Sequence, residues 1–290
     1  MNSDPVNEKE KPTDSVDLHL HTTASDGTFT PKELVRFSRL IKLKAIAITD
    51  HDSVAGIDEA MEAALIEGIE VIPGIELSTE QDDFSIHILG LFVDHHNKDL
   101  LKLTNEVQNA REERAKRIVK KINSLNKKPK ISFKEVQDQA NGLIARPHIG
   151  ELLIKYGYAQ SMDEAFEKYL KRGAPCYVPR FKLTPKKGIA FLRNIGAIPI
   201  LAHPGLLPQE LDIEEFVKDL VQNGLLGLEA YYPTHSYTQK EFFIKLAEKY
   251  DLLISGGSDC HGLLNNGPFV GSQYIPYSLL QKMKDEKEKR

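Results

Sequence analysis

A chain of 290 residues exceeds a typical domain but suits a single α/β barrel, so one barrel-sized unit with an insertion is the starting expectation. With 41% hydrophobic and 28% charged residues it can build a core, which excludes wholesale disorder, collagen-like and coiled-coil classes. The net charge of −4 conceals an asymmetry: residues 99–187 hold 20 lysines and arginines against 10 acidic residues, leaving 18 against 32 elsewhere, so one segment is built to face anions.

Residues 1–14 are polar and aperiodic and read as a disordered leader. No apolar run approaches the roughly 18 to 20 residues that span a bilayer, and no signal-peptide core follows Met1, which together predict a cytoplasmic protein without membrane association. Two cysteines, Cys176 and Cys260, are too few for a disulfide scaffold and lack the paired spacing of a structural zinc site. Nothing in the pattern calls for an obligatory protein partner.

From Val16 short apolar runs alternate with amphipathic stretches: VDLHLH, a helix from Pro31 to about Ile41, AIAIT, a helix near Gly56 to Glu67, EVIPGIEL, and the strand Ser85 to Val93. The alternation favours parallel βα units. Thr30, Pro31 and Glu33 announce the first helix as cap, first-turn proline and capping-box partner. After Asp99 long helical stretches take over, notably Asn105 to Leu125, so 99–182 reads as a basic helical insertion domain and 15–98 with 183–290 as the barrel. The alternation resumes with a helix from Pro185 to Asn194, AIPILAH, a helix around Ile213 to Asn223, GLLGLEAY, a helix from Ser236 to Tyr250 and DLLISGGSD, before a last helix from about Ser278. The fold class expected is α/β, a distorted (β/α) TIM-like barrel carrying that insertion.

Catalytic groups of parallel barrels gather at the C-terminal ends of the strands, and several of the ten histidines fall at such ends. His19 and His21 lie two apart, so on a strand both imidazoles share a side while Leu18 and Leu20 take the other. Successive strands deliver His51, Glu76, His87 and His203, and the last runs into Asp259 and His261, again two apart; Asp26, in a Ser-Asp-Gly turn, can reach the same mouth. Any one such histidine is usually satisfied by local hydrogen bonds. Buried together, however, these imidazoles and carboxylates would be costly without an ion, which predicts a multinuclear metal site.

Four stretches carry a further likeness: DLHLHTTASDG (17–27), TDHD (49–52), PGIELS (73–78) with IHILG (86–90), and AHPG (202–205) with SDCHG (258–262). They resemble the motifs of the PHP (polymerase and histidinol phosphatase) superfamily, across nearly the whole chain. The resemblance implies that His19, His21, Glu76 and Asp259 hold one metal, that Asp26, His51, His203 and His261 hold a second or third, and that Glu76 and His87 share the remaining ion. All nine are nitrogen or oxygen donors without thiolate, suiting Mn, Zn or Fe, with manganese expected. Two to three divalent ions outweigh the three ligand carboxylates and leave a field that fits a phosphate ester. Such a centre generates its own hydroxide nucleophile, so no catalytic side chain is expected. Ser25, Ser78 and Ser258 read as turn or capping residues, and Cys260 as a small packing residue.

The insertion is expected to choose the substrate. Arg111, Arg114 and Arg117, three apart on one helix, form a ridge able to bind phosphate, although a solvated helix face is the plain alternative. The ARPHI stretch (145–149) resembles the branch of nucleoside 3′,5′-bisphosphate phosphatases, some of which act as 5′-to-3′ exoribonucleases, and the resemblance puts Arg146 and His148 in contact with substrate phosphate or the third metal. Arg180 is a candidate for the same task, and Tyr156, Tyr158, Tyr177 and Phe181 for stacking on a base, each more often simply core. The expected reaction is removal of the 3′-phosphate from a nucleoside 3′,5′-bisphosphate such as adenosine 3′,5′-bisphosphate, giving AMP and phosphate. The alternatives are 5′-to-3′ hydrolysis of short 5′-phosphorylated RNA, a histidinol-phosphate phosphatase, and a non-catalytic binding module.

Overall fold

The computed structural model describes residues 14–82, 84–125, 129–140, 143–179, 183–262 and 267–290. Seven strands follow one another in chain order around a barrel: β1 Val16–Asp17, β2 Ala45–Ile48, β3 Glu70–Gln81, β4 Phe84–Leu91, β5 Ile198–Leu201, β6 Gly227–Tyr231 and β7 Leu253–Gly256. The seam between β7 and the chain after β1 is closed by the Leu18 N–H donating to Gly256 O at 3.1 Å and the Asp259 N–H to His19 O at 2.9 Å. A Cβ on Gly257 would lie 2.2 Å from that of His19, so only glycine permits this approach.

The expected run of parallel units is corrected at β4. It pairs antiparallel with β3, with Ser78 opposite His87, and antiparallel with β5. Only 82 and 83 separate β3 from β4, which leaves room for a tight turn and none for a crossover helix. His87 therefore reaches the mouth from the start of a descending strand, not from the C-terminal end of a rising one.

Around the barrel lie α1 (Pro31–Leu40) and α2 (Ile57–Glu67), followed by α3 (Lys98–Ser124), α4 (Phe133–Ala140), α5 (Arg146–Lys155) and α6 (Met162–Ala165), which continues as a π-helical turn over Phe166–Leu170. Then come α7 (Pro185–Asn194), α8 (Ile213–Gln222), α9 (Tyr237–Lys249) and α10 (Tyr277–Glu288). The capping box at α1 forms as its residues predict: the Thr30 hydroxyl accepts from the Glu33 N–H at 3.2 Å, and the Thr30 N–H donates to Glu33 Oε2 at 2.9 Å.

Alternate residues of β2, β4 and β5, among them Ala45, Ala47, Leu89, Leu91, Ile198 and Ile200, share one buried cluster that Leu280 and Met283 of α10 close. Their neighbours Ile46, Ile48, Ile88 and Leu201 pack instead with the surrounding helices. The stretch 98–178 contains no strand among its described residues and has a second apolar cluster built on Ile118, Ile122, Leu153 and Leu170. The composition boundary at 99 is nevertheless not a break. Leu100, near the start of α3, packs in the barrel cluster and Ile122, near its end, in the helical one, so one continuous helix belongs to both.

Candidate metal centre at the barrel mouth

Glu76 is fully buried at the centre of the mouth. Its Oε2 lies 3.4 Å from His19 Nε2, 3.2 Å from His21 Nε2 and 2.9 Å from His51 Nδ1, while its Oε1 lies 2.9 Å from His87 Nδ1 and 3.2 Å from His203 Nε2. Asp259 Oδ1 adds distances of 3.2 Å to His19 and 3.0 Å to His21. Asp26 reaches His261 Nε2 at 3.4 Å, His21 Nδ1 at 3.8 Å and His51 Nε2 at 3.9 Å. The structure thus brings all nine predicted residues to one mouth, eight of them in three donor sets: His19, His21, Glu76 and Asp259; His21, Asp26, His51 and His261; and His51, Glu76 and His87. His203, expected beside Asp26, lies with Glu76 and His87 instead, its ring centroid 5.1 Å from that of His87.

The donor chemistry fits divalent metal ions. His19 Nε2, both nitrogens of His21, His51 Nδ1, His87 Nδ1, Glu76 Oε2 and Asp259 Oδ1 are buried without a hydrogen-bond partner, an arrangement that would be costly unless an ion satisfied them. Separations near 3 Å are those of ligands sharing an ion at about 2.0 to 2.2 Å. Backbone strain is present here too, with positive φ at Asp52 (47°), His203 (26°) and Asp259 (54°).

Burial disfavours charge at these groups, but their mutual attraction overrides it in several. Asp259, Glu229 and Glu76 hold the His19 imidazole well above its usual range against the burial penalty, and the close carboxylates of Asp259 and Glu76 push His21 up to about 10 against the same penalty. The histidines in turn hold Glu76 and Asp259 below the usual carboxylate range. Protons on His19 and His21 therefore compete with metal, so metal uptake should release protons and tighten as pH rises towards about 10. Titration calorimetry in buffers of different ionisation heat checks this; a signal independent of buffer would contradict it.

Sequence reasoning missed the residues that orient the donors. Fully buried Glu229 accepts the His203 N–H on Oε2 at 2.7 Å and pairs through Oε1 with His19 Nδ1 at 3.0 Å. The Tyr232 hydroxyl donates to Asp259 Oδ2 at 2.9 Å, leaving Oδ1 facing the histidines. Asp17 accepts the Ser258 N–H at 2.9 Å, and Asp50 accepts the hydroxyls of Thr22 and Ser25 at 2.7 and 2.5 Å. A glutamate inside the otherwise apolar run GLLGLEAY was the available signal for Glu229. Glu229→Gln can no longer accept at both oxygens and should weaken metal binding about 10- to 100-fold; chelator competition measures it, and unchanged affinity would show that Glu229 only fills space.

A cavity of about 320 Å³ joins the mouth to the helical segment. Asp26, His51 and His87 line it together with Arg111, Arg114 and Arg146, and Ile118, Ile144, Ile149 and Phe166 add apolar surface. Arg111 is held by Asp52 Oδ2 at 2.5 Å and Ser78 Oγ at 2.9 Å; the Arg114 Nε donates to Val178 O at 2.7 Å. Arg146 lies 5.3 Å above the ring of Phe166, an aromatic residue that the sequence reading did not single out. Arg117 is exposed and absent from the cavity wall, because residues three apart turn progressively off a helix face. His148 Nδ1 accepts the Ala145 N–H at 3.2 Å at the start of α5 and is not among the residues that line the cavity. Tyr158 is core, its hydroxyl donating to Pro129 O at 2.7 Å, and the Tyr156 hydroxyl donates to Glu135. Arg180 and Phe181 lie outside the described residues.

A barrel of this topology with this donor cluster at its mouth defines a metal-dependent phosphoesterase, a hydrolase. The chain belongs to the PHP domain family, which matches residues 17–178, and the resemblance read from its motifs is borne out. Among curated relatives it is 32% identical to a 5′-3′ exoribonuclease of Haemophilus influenzae, over 86% of this chain and 90% of that protein. It is 28% identical to a 3′,5′-nucleoside bisphosphate phosphatase of Chromobacterium violaceum, over 89% of this chain and 90% of the relative. Among solved structures, one described as a metal-dependent phosphoesterase from Bifidobacterium adolescentis superposes with a TM-score of 0.81 at 30% identity, covering 94% of this chain and 96% of that one. An amidohydrolase from C. violaceum with bound sulfate gives a TM-score of 0.78 at 27% identity, covering 93% and 96%. No helix among the described residues is long and apolar enough to cross a membrane.

Proposed function

We propose that the protein removes the 3′-phosphate from nucleoside 3′,5′-bisphosphates, with two or three divalent ions, manganese foremost, held by the nine mouth residues. His19, His21, Glu76 and Asp259 would hold one ion, Asp26, His51 and His261 a second, and His87 and His203 with Glu76 a third. Such ions supply a water of lowered pKa and positive charge against the phosphoryl oxygens.

The protein's own residues supply the rest. Arg111 and Arg114, each tied to a fixed acceptor, enter the cavity already positioned, so little side-chain entropy is lost when a second phosphate binds there. Arg146 stands by Phe166, where a guanidinium can take a phosphate bidentately. The apolar wall of Ile118, Ile144 and Ile149 suits a ribose or base and keeps water from the reacting phosphate. No nucleophilic serine is needed, since the Ser25 hydroxyl donates to Asp50 and Ser78 accepts from Arg111.

The observation that carries the reading is that one cavity is lined both by the candidate metal donors Asp26, His51 and His87 and by three arginines, Arg111, Arg114 and Arg146. Two anchors select a substrate with two phosphates. With manganese bound, kcat/KM for adenosine 3′,5′-bisphosphate should exceed that for 3′-AMP, which keeps the scissile phosphate and lacks the second one, by about 10-fold or more, the worth of one charged hydrogen-bonded anchor; equal values would sink the proposal. A second reading, stepwise 5′-to-3′ hydrolysis of short RNA, is favoured by the 32% identity to the H. influenzae exoribonuclease. The same arginines would then hold the 5′-phosphate of the strand.

A further inference from the structure

A second group of donors converges far from the mouth, at the root of α3, about 20 Å along the helix from Arg111. Asp58, in the first turn of α2, places Oδ1 2.8 Å from His95 Nε2 and 3.4 Å from His96 Nε2. Consecutive side chains on an extended chain point to opposite sides. Here they converge, with ring centroids 4.2 Å apart, in a turn where Asp94 Oδ1 accepts the His96 N–H at 3.0 Å and Asn97 caps α3. The three ligand atoms all lie within 4.8 Å of one another. A tetrahedral ion with bonds of about 2.0 to 2.2 Å needs donors roughly 3.3 Å apart. The observed 3.4 Å meets that spacing and the 2.8 Å pair reaches it with a small side-chain movement. The outer face is open to water, which can complete the coordination.

We propose that Asp58, His95 and His96 form a peripheral binding site for a transition-metal ion of the zinc, cobalt or nickel class, separate from the mouth centre. Two imidazoles and one carboxylate prefer such ions to manganese or magnesium. An ion held there ties α2 of the barrel to the turn that leads into α3, the helix that carries Arg111 and Arg114 into the cavity. The site does not depend on the substrate assigned above.

The test uses tag-free full-length protein, metal-stripped, loaded with excess Zn²⁺, desalted and analysed for metal, in parallel with His96→Ala and Asp58→Asn. Both side chains are more than two-thirds solvent-exposed, at 69% and 67%, so neither change threatens the fold. Wild type should retain one more equivalent of zinc than either variant, and zinc should raise its unfolding midpoint further than theirs. Phosphatase activity of separate manganese-loaded samples should be the same in all three. Equal zinc retention would overturn the site, and loss of manganese-supported activity in the variants would overturn its separateness. Failure on either count leaves the mouth centre and its substrate reading standing, because these are read from wild type alone.

Discussion

Glu76→Gln should lower manganese-supported phosphatase activity by about 10³-fold or more, with metal content falling in step. The carboxylate touches five imidazoles at 2.9 to 3.4 Å from the middle of the mouth. Glutamine keeps its volume but loses the charge that offsets both the ions and the protonated histidines, and it aims an amide N–H₂ at donors. Interactions worth several kcal/mol in the transition state are removed, and each 1.4 kcal/mol is about a factor of ten. Elemental analysis, activity and circular dichroism on one preparation test this. A folded variant with full metal content and near wild-type turnover would show that Glu76 is not the bridge.

The second large effect is expected at the arginines that line the cavity. Arg146→Ala should raise KM for a bisphosphate about 10- to 100-fold through loss of a charge-assisted bidentate contact, while metal content stays at the wild-type level. Arg146→Lys should restore only part of the affinity, because an ammonium presents a single point of charge where the guanidinium presents a planar fork. If Arg146→Ala and Asp259→Ala lost metal equally, the division between metal donors and phosphate-binding arginines would be wrong. If Arg146→Ala left KM unchanged, the cation above Phe166 would not touch substrate.

The histidines of the mouth were legible because strand geometry is local: a spacing of two puts His19 with His21 on one side of the chain, and both do reach Glu76. The same rule failed for the leucines between them. Leu18 packs inside the barrel and Leu20 with the outer helices, since the β1 ladder ends at Asp17 and resumes as a single bridge from Leu20 to Cys260. His87 was legible as a mouth residue but for another reason, because only the pairing partner reveals that β4 descends. Glu229 could be singled out as a glutamate inside an apolar run, but its role depends on being 3.0 Å from a histidine 210 residues away, which local pattern does not encode. The ridge of three arginines was half legible, as helical periodicity is 3.6 and not 3, so Arg111 and Arg114 share the cavity while Arg117 turns to solvent.

The central claim is that this mouth hydrolyses a phosphomonoester on a small nucleotide. Its most direct test is one incubation of manganese-loaded protein with equal concentrations of adenosine 3′,5′-bisphosphate and a 5′-phosphorylated pentaribonucleotide, both followed by mass-resolved chromatography. The account predicts fast conversion of the bisphosphate to 5′-AMP while the pentamer stays intact. Stepwise shortening of the pentamer from its 5′ end, with the bisphosphate consumed more slowly, would contradict it and make the protein a nuclease.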